Sequence, residues 1–197
     1  MADNSWNGYE NKLLFACHSP ERGDFADVAR PLGCDSIKDG RGVAIADLDG
    51  DGLLDIVISN NAAAPTLYLN RLRNAGNRLR VQLAGDGKHV SRDALGTRVQ
   101  VVVDHEGEPR TISRWVEAGS GYAAQSESTL HFGLGRAESV QAMRILWPDG
   151  SEESVPPSRL SHAVNHTVRV VRGGDVEVLD PIGSKGPTVA KRTGEED

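Results

Sequence analysis

Short runs of alternating apolar and polar residues constrain this chain more than any other feature of its sequence. They recur at spacings of roughly ten residues, divided by Gly, Asp, Asn and Pro. The runs are Val43 to Ala46, Ile56 to Ile58, Leu79 to Leu83, Arg98 to Val103, Thr111 to Glu117, Thr129 to Phe132, Gln141 to Trp147, Thr167 to Arg172 and Val176 to Leu179. Val99, Val101 and Val103 share one face, with Arg98 and Gln100 on the other. Met143, Ile145 and Trp147 alternate in the same way with Ala142, Arg144 and Leu146. Successive side chains of a strand point to opposite faces, so a period of two predicts half-buried antiparallel strands. Helical spacing is hard to find. The turns agree: Asp104-His105-Glu106-Gly107-Glu108-Pro109 reads as a hairpin loop and Pro148-Asp149-Gly150 as a tight turn. An all-β sandwich or barrel follows.

The pattern breaks at Arg71-Leu72-Arg73-Asn74-Ala75-Gly76-Asn77, which places a boundary between a unit over 1–75 and a second over 76–180. From Pro181 the chain turns to Gly, Lys, Pro and acids, and residues 181–197 read as a disordered tail. A chain of 197 residues buries about 70% of its unfolded surface without covalent staples. Its formal net charge of −6 disfavours nucleic acid and anionic lipid as partners. No apolar run approaches the roughly 18 residues of a membrane helix. The segment around Leu13-Leu14-Phe15-Ala16-Cys17 is too short for a signal core. As written, the chain reads as cytoplasmic; as a piece of a longer exported chain it reads as extracellular. Cys17 and Cys34 match no zinc pattern and read first as two small buried residues, with a single disulfide as the alternative.

Acidic charge is concentrated at Asp47-Leu48-Asp49-Gly50-Asp51-Gly52-Leu53-Leu54-Asp55. Asp47, Asp49, Asp51 and Asp55 stand at positions 1, 3, 5 and 9 of a loop, with Gly52 at position 6. In a tightly coiled loop alternate side chains converge, and calcium prefers hard oxygen ligands. The carbonyl of Leu53 is a further candidate ligand. A solvated Asp-Gly turn explains Asp51-Gly52 but not three more aspartates in register. The loop is not an EF-hand, because position 12 is Ile58 and strands flank it. Magnesium suits it less, since that ion demands strict octahedral geometry.

With this loop in place, the stretch from about Gly8 to Asn70 resembles one FG-GAP (VCBS-type) repeat, the calcium-bearing blade of integrin-like β-propellers. The matching residues include Asn11-Lys12-Leu13-Leu14-Phe15, Phe25-Ala26-Asp27-Val28, Gly40-Arg41-Gly42-Val43-Ala44, Asp55-Ile56-Val57-Ile58-Ser59-Asn60 and Leu67-Tyr68-Leu69-Asn70. Leu79 to about Val171 resembles an ASPIC/UnbV domain, as found at the end of cartilage acidic protein-like chains. Its marks are Gly119-Ser120-Gly121-Tyr122-Ala123-Ala124-Gln125-Ser126, Leu130-His131-Phe132-Gly133-Leu134-Gly135 and Trp147-Pro148-Asp149-Gly150. The resemblance implies an antiparallel sandwich with one propeller-blade-like, calcium-binding unit packed on it. It implies a secreted setting in many relatives and no agreed reaction. Relatives carry several FG-GAP repeats and this chain has one. A lone blade cannot cover its own faces and edges, so self-association through it is an expected partner mode. Relatives also read Asn-Arg where this chain has Ser91-Arg92-Asp93-Ala94-Leu95-Gly96-Thr97, so no role is carried over for that asparagine.

Other chemistry is sparse. Tyr122, Gln125, Ser126 and His131 are candidates for a polar pocket, with His131 as acid or base, against the plainer reading that they shape loops and satisfy buried backbone. His162 and His166 have metal spacing only on a helix, and Pro156-Pro157 argues against one. Asn165-His166-Thr167 fits the glycosylation sequon, which has meaning only in a secreted eukaryotic setting. No dinucleotide fingerprint, P-loop or nucleophile elbow is present. The reading favours a calcium-binding β module for a protein or carbohydrate partner over a catalyst. The alternatives are a calcium-dependent accessory enzyme of a secondary-metabolite pathway, with a pocket near His131, and a propeller fragment with no function of its own.

Overall fold

Among the described residues of the computed structural model, 10–19 and 21–182, every regular element is a strand except one 3-10 turn at Pro157–Arg159. Of the tail expected over 181–197, residues 183–197 lie outside these, as do the first nine residues, while Pro181 ends a strand. The chain divides into two compact units. One holds the described residues up to Ile45 with Asp55–Asn70 and Gly119–Ser126; the other holds Ala46–Leu54, Arg71–Ala118 and the rest from Glu127.

In the first unit, β1 (Phe15–Ser19) pairs antiparallel with β2 (Asp24–Asp27). A second sheet has the order β3-β4-β5, formed by Gly40–Ala46, Asp55–Asn60 and Ala63–Tyr68. No residue of β1 or β2 is buried, so neither strand shows the contrast between inward and outward positions that betrays a strand in sequence. This overturns the expected burial of the cysteines. Cys17 is exposed on β1, Cys34 is half-buried, and both thiols are free.

The second unit is a two-sheet sandwich. One sheet has the order β11-β10-β7-β8, formed by Glu152–Val155, Val140–Leu146, Arg98–His105 and Glu108–Trp115. The other has the order β13-β12-β6-β9, formed by Val176–Pro181, His166–Val171, Asn77–Ala84 and Leu130–Gly135. The valines that share a face of β7 join Met143 and Ile145 of β10 in one core with Leu79, Val81 and Phe132 from the opposite sheet. Most of these side chains are fully buried. At about 25 cal/mol per Å² of apolar surface, their removal from water dominates the stability of this unit. One ladder departs from the antiparallel expectation: β12 runs parallel to β6, with Thr167 beside Arg80 and Val171 beside Ala84.

Turn chemistry sets the register. The loop between β7 and β8 is tighter than expected, since pairing continues to His105 opposite Glu108. Glu106 and Gly107, at φ 56° and 89°, make the turn, and the Gly107 amide donates to the Asp104 carboxylate at 3.0 Å. Positive φ at both central residues matches the right-handed twist of the flanking strands.

Candidate metal centre

The acidic loop runs from the end of β3 into β4. Gly52 holds φ +83°, a conformation that favours glycine, and a Cβ there would press on the Arg78 side chain at 2.3 Å. The Gly52 amide donates to Asp47 Oδ2 at 2.9 Å, which coils the loop around Asp47. The Asp51 amide donates to Asp49 Oδ1 at 3.3 Å and the Leu53 amide to Asp51 Oδ1 at 2.8 Å. Asp55, 1% exposed, accepts the Asn70 amide at 2.8 Å.

Three of the five residues predicted from spacing come together. Asp47, Asp49 and Asp55 each offer a carboxylate oxygen, and these oxygens lie within 4.8 Å of one another. The Asp51 carboxylate is held on the Leu53 amide, with its other oxygen 3.6 Å from Arg71. Leu53 enters the loop's bonding through that amide.

Asp47 is the centre of the arrangement. Its side chain has no exposed surface. Oδ2 accepts Arg80 Nη1 at 3.0 Å as well as the Gly52 amide, whereas Oδ1 is buried with no hydrogen-bond partner. Burial raises the pKa of Asp47 above its ordinary value, against the opposing pull of Arg80 and the Gly52 and Gly50 amides. The Arg71 hydrogen bond lowers that of Asp49.

Sequence reasoning missed the groups that hold Asp47. Arg80 lies between Leu79 and Val81 on the outward face of β6, directly opposite His131 of β9. Arg80 spans Asp47 and Glu127, reaching Glu127 Oε2 at 3.1 Å. Glu127 Oε1 accepts the Asp47 amide at 3.0 Å and also contacts His131 Nε2. Burial opposes ionisation of Glu127, but His131, the Asp47 amide and Arg80 together bring its pKa below the ordinary value. An arginine between two buried residues of a strand looks like ordinary solvated surface, and nothing near Glu127 in sequence pairs it with Asp47. Only strand pairing brings them together.

His131, singled out for a pocket, is instead part of this support. Tyr122 is 76% exposed, Gln125 is exposed, and Ser126 pairs its hydroxyl with Ser120 at 3.0 Å and accepts the Ile45 amide. His166 opens β12 with Nδ1 2.8 Å from the Val164 carbonyl oxygen, and His162 is exposed. Asn165 accepts the Arg78 amide and donates to Asn77.

A β-rich modular protein, with a blade-like unit, a two-sheet sandwich and an aspartate-rich hairpin loop, is the class these features define. Residues 87–177 match the family model described as ASPIC and UnbV, and residues 40–76 match the FG-GAP repeat. The chain carries an FG-GAP repeat followed by an ASPIC/UnbV domain, the arrangement of cartilage acidic protein 1. It is 31% identical to cartilage acidic protein 1 of Mus musculus over 145 residues, covering 71% of this chain and 21% of the relative. The figures for cartilage acidic protein 1 of Xenopus tropicalis are 31% over 154 residues, 74% and 22%. For that of Homo sapiens they are 30% over 148 residues, 72% and 21%. The chain thus spans about a fifth of the length of the curated relatives it matches. A solved structure from Bacteroides uniformis aligns over 73% of this chain and 90% of its own at 12% identity, with a TM-score of 0.28. Among the described residues no helix is long and apolar enough to cross a membrane.

Proposed function

We propose that this chain is a calcium-stabilised β module of an extracellular protein, built to bind a protein or carbohydrate partner. The single observation that carries the calcium reading is Asp47, whose Oδ1 is a buried carboxylate oxygen without a donor and whose carboxylate clusters with those of Asp49 and Asp55. A buried anionic oxygen is costly unless a cation or donor meets it. Calcium takes six to eight oxygens and tolerates irregular geometry. Asp47, Asp49 and Asp55 would supply its first ligands, with Asp51 and the Leu53 carbonyl as the others indicated by spacing. The ion's contribution is structural, since it binds the folded loop and not the unfolded chain.

The extracellular setting rests on relatives named for cartilage and on the calcium found outside cells, where sites of roughly 10⁻⁴–10⁻³ M affinity fill. The cytoplasmic expectation has no comparable support. Partner contact is assigned to the first unit, where Leu13, Phe15, Phe25, Leu32, Ile37 and Leu67 are each more than half exposed. That surface is also the one through which the chain would self-associate. The accessory-enzyme alternative has no specific observation behind it.

Thermal unfolding tests the calcium reading. Calcium at a hundred times its Kd should add about 2.7 kcal/mol, and Tm should rise by about 2–4 °C per kcal/mol for a chain of this size. Chelator should reverse the rise, magnesium should reproduce little of it, and Asp49→Ala should abolish it. A melting curve indifferent to millimolar calcium and to chelator would overturn the reading.

A further inference from the structure

Two arginines reach the acidic loop, and they differ in a way that assigns them different roles. Arg80 is 16% exposed, lies in the middle of β6, and is clamped between Asp47 Oδ2 and Glu127 Oε2. It takes one Asp47 oxygen and leaves Oδ1 without a partner. Arg71 is 62% exposed and belongs to no strand. Its Nη1 lies 2.5 Å from Asp49 Oδ2 and 3.6 Å from Asp51 Oδ2, two carboxylates that the calcium reading also claims. We infer that Arg71 is a tethered counter-cation that competes with calcium for Asp49 and Asp51, whereas Arg80 is a fixed positioning residue that calcium does not displace. This rests on the calcium reading above.

The physical case is one of exchange. Three or four carboxylates crowded together repel one another unless a cation is near. A guanidinium meets that need in the absence of metal, but a calcium ion approaching Asp49 and Asp51 must share or displace it. Arg80 cannot leave so easily, because withdrawing it strands both Asp47 and Glu127 in buried surroundings. Arg71 can leave, because its long exposed side chain regains water and rotamer freedom on release. The device lowers calcium affinity and keeps the metal-free loop from flying apart.

Calorimetric titration of the full chain with calcium chloride tests this, using wild type, Arg71→Gln and Arg110→Gln. Arg110 is exposed on β8, in the other sheet of the sandwich, and its loss changes net charge equally. The expected result is a Kd lowered by roughly two- to fivefold in Arg71→Gln, the range an exposed ion pair accounts for, with little change in Arg110→Gln. In wild type, the Arg71 Nε–H resonance, assigned by its loss in Arg71→Gln, should move on calcium addition while that of Arg80 stays. Equal or weaker binding by Arg71→Gln, equal tightening by Arg110→Gln, or an Arg71 resonance unmoved by bound calcium would each overturn the inference and leave calcium binding standing. Absence of calcium binding in wild type and in Arg71→Gln alike would overturn both.

Discussion

At Asp47 the two oxygens of one carboxylate live in different surroundings, one clamped by Arg80 and the Gly52 amide, the other buried with no donor. Its raised pKa gives a signed expectation for the metal-free protein. A carboxyl whose folded pKa lies above the unfolded value of 3.8 contributes stability that is present below 3.8 and lost as pH rises through the folded pKa. Asp49 and Asp149 run the opposite way. Their depressed values contribute stability that is full above 3.8 and lost as pH falls through the folded pKa. Glu127 does the same below 4.5. In chelator at pH 7, Asp47→Asn should therefore melt no lower than wild type, and its relative advantage should shrink as pH falls towards 4. Calcium should give that variant no rise in Tm. A variant that melts well below wild type in chelator would show that Asp47 stabilises the fold as an anion without metal.

Strands with one buried face were legible because inward and outward positions contrast in polarity, as in β6, β7 and β10. β1 and β2 expose nearly everything, and β11, Glu-Glu-Ser-Val, buries only Val155. β5 carries Pro65 at a sheet edge, where a missing amide can be tolerated. None of these has the alternation that a buried face imposes. The Trp-Pro-Asp-Gly turn was legible as a turn, yet its anchorage was not. Arg172, 14% exposed, contacts Asp149, reaches Asp86 at 3.0 Å and Ser151 at 3.1 Å, and lies 5.9 Å from the centre of the Trp147 ring. Asp86 in turn accepts the amides of Lys88, His89 and Val90. Arg172→Leu should lower the urea-unfolding midpoint, because it removes the ion pairs to Asp149 and Asp86 and the hydrogen bond to Ser151 together. A loss below about 0.5 kcal/mol, ordinary for surface substitutions, would remove Arg172 from that role.

On the scale of the whole molecule, the sandwich carries a continuous core while the other unit leaves many of its large apolar side chains in solvent. A two-stranded hairpin is marginal alone, and contiguous exposed apolar surface marks an interaction site. The chain should therefore sediment as more than monomer at micromolar concentrations, and Phe15→Ser with Phe25→Ser should shift it towards monomer. A single monomeric species in both cases would send the partner-binding reading elsewhere. The sequence by itself determined the strand class, the sandwich core and the acidic loop, because period-two patterning and aspartate spacing act over a few residues. Tertiary structure alone decided that β6 and β12 run parallel, that Arg80 and Glu127 hold Asp47 with His131 on Glu127, and that Arg71 rests on Asp49. Each of these joins residues far apart in the chain through strand register and the burial of charge, and neither leaves a local trace in sequence.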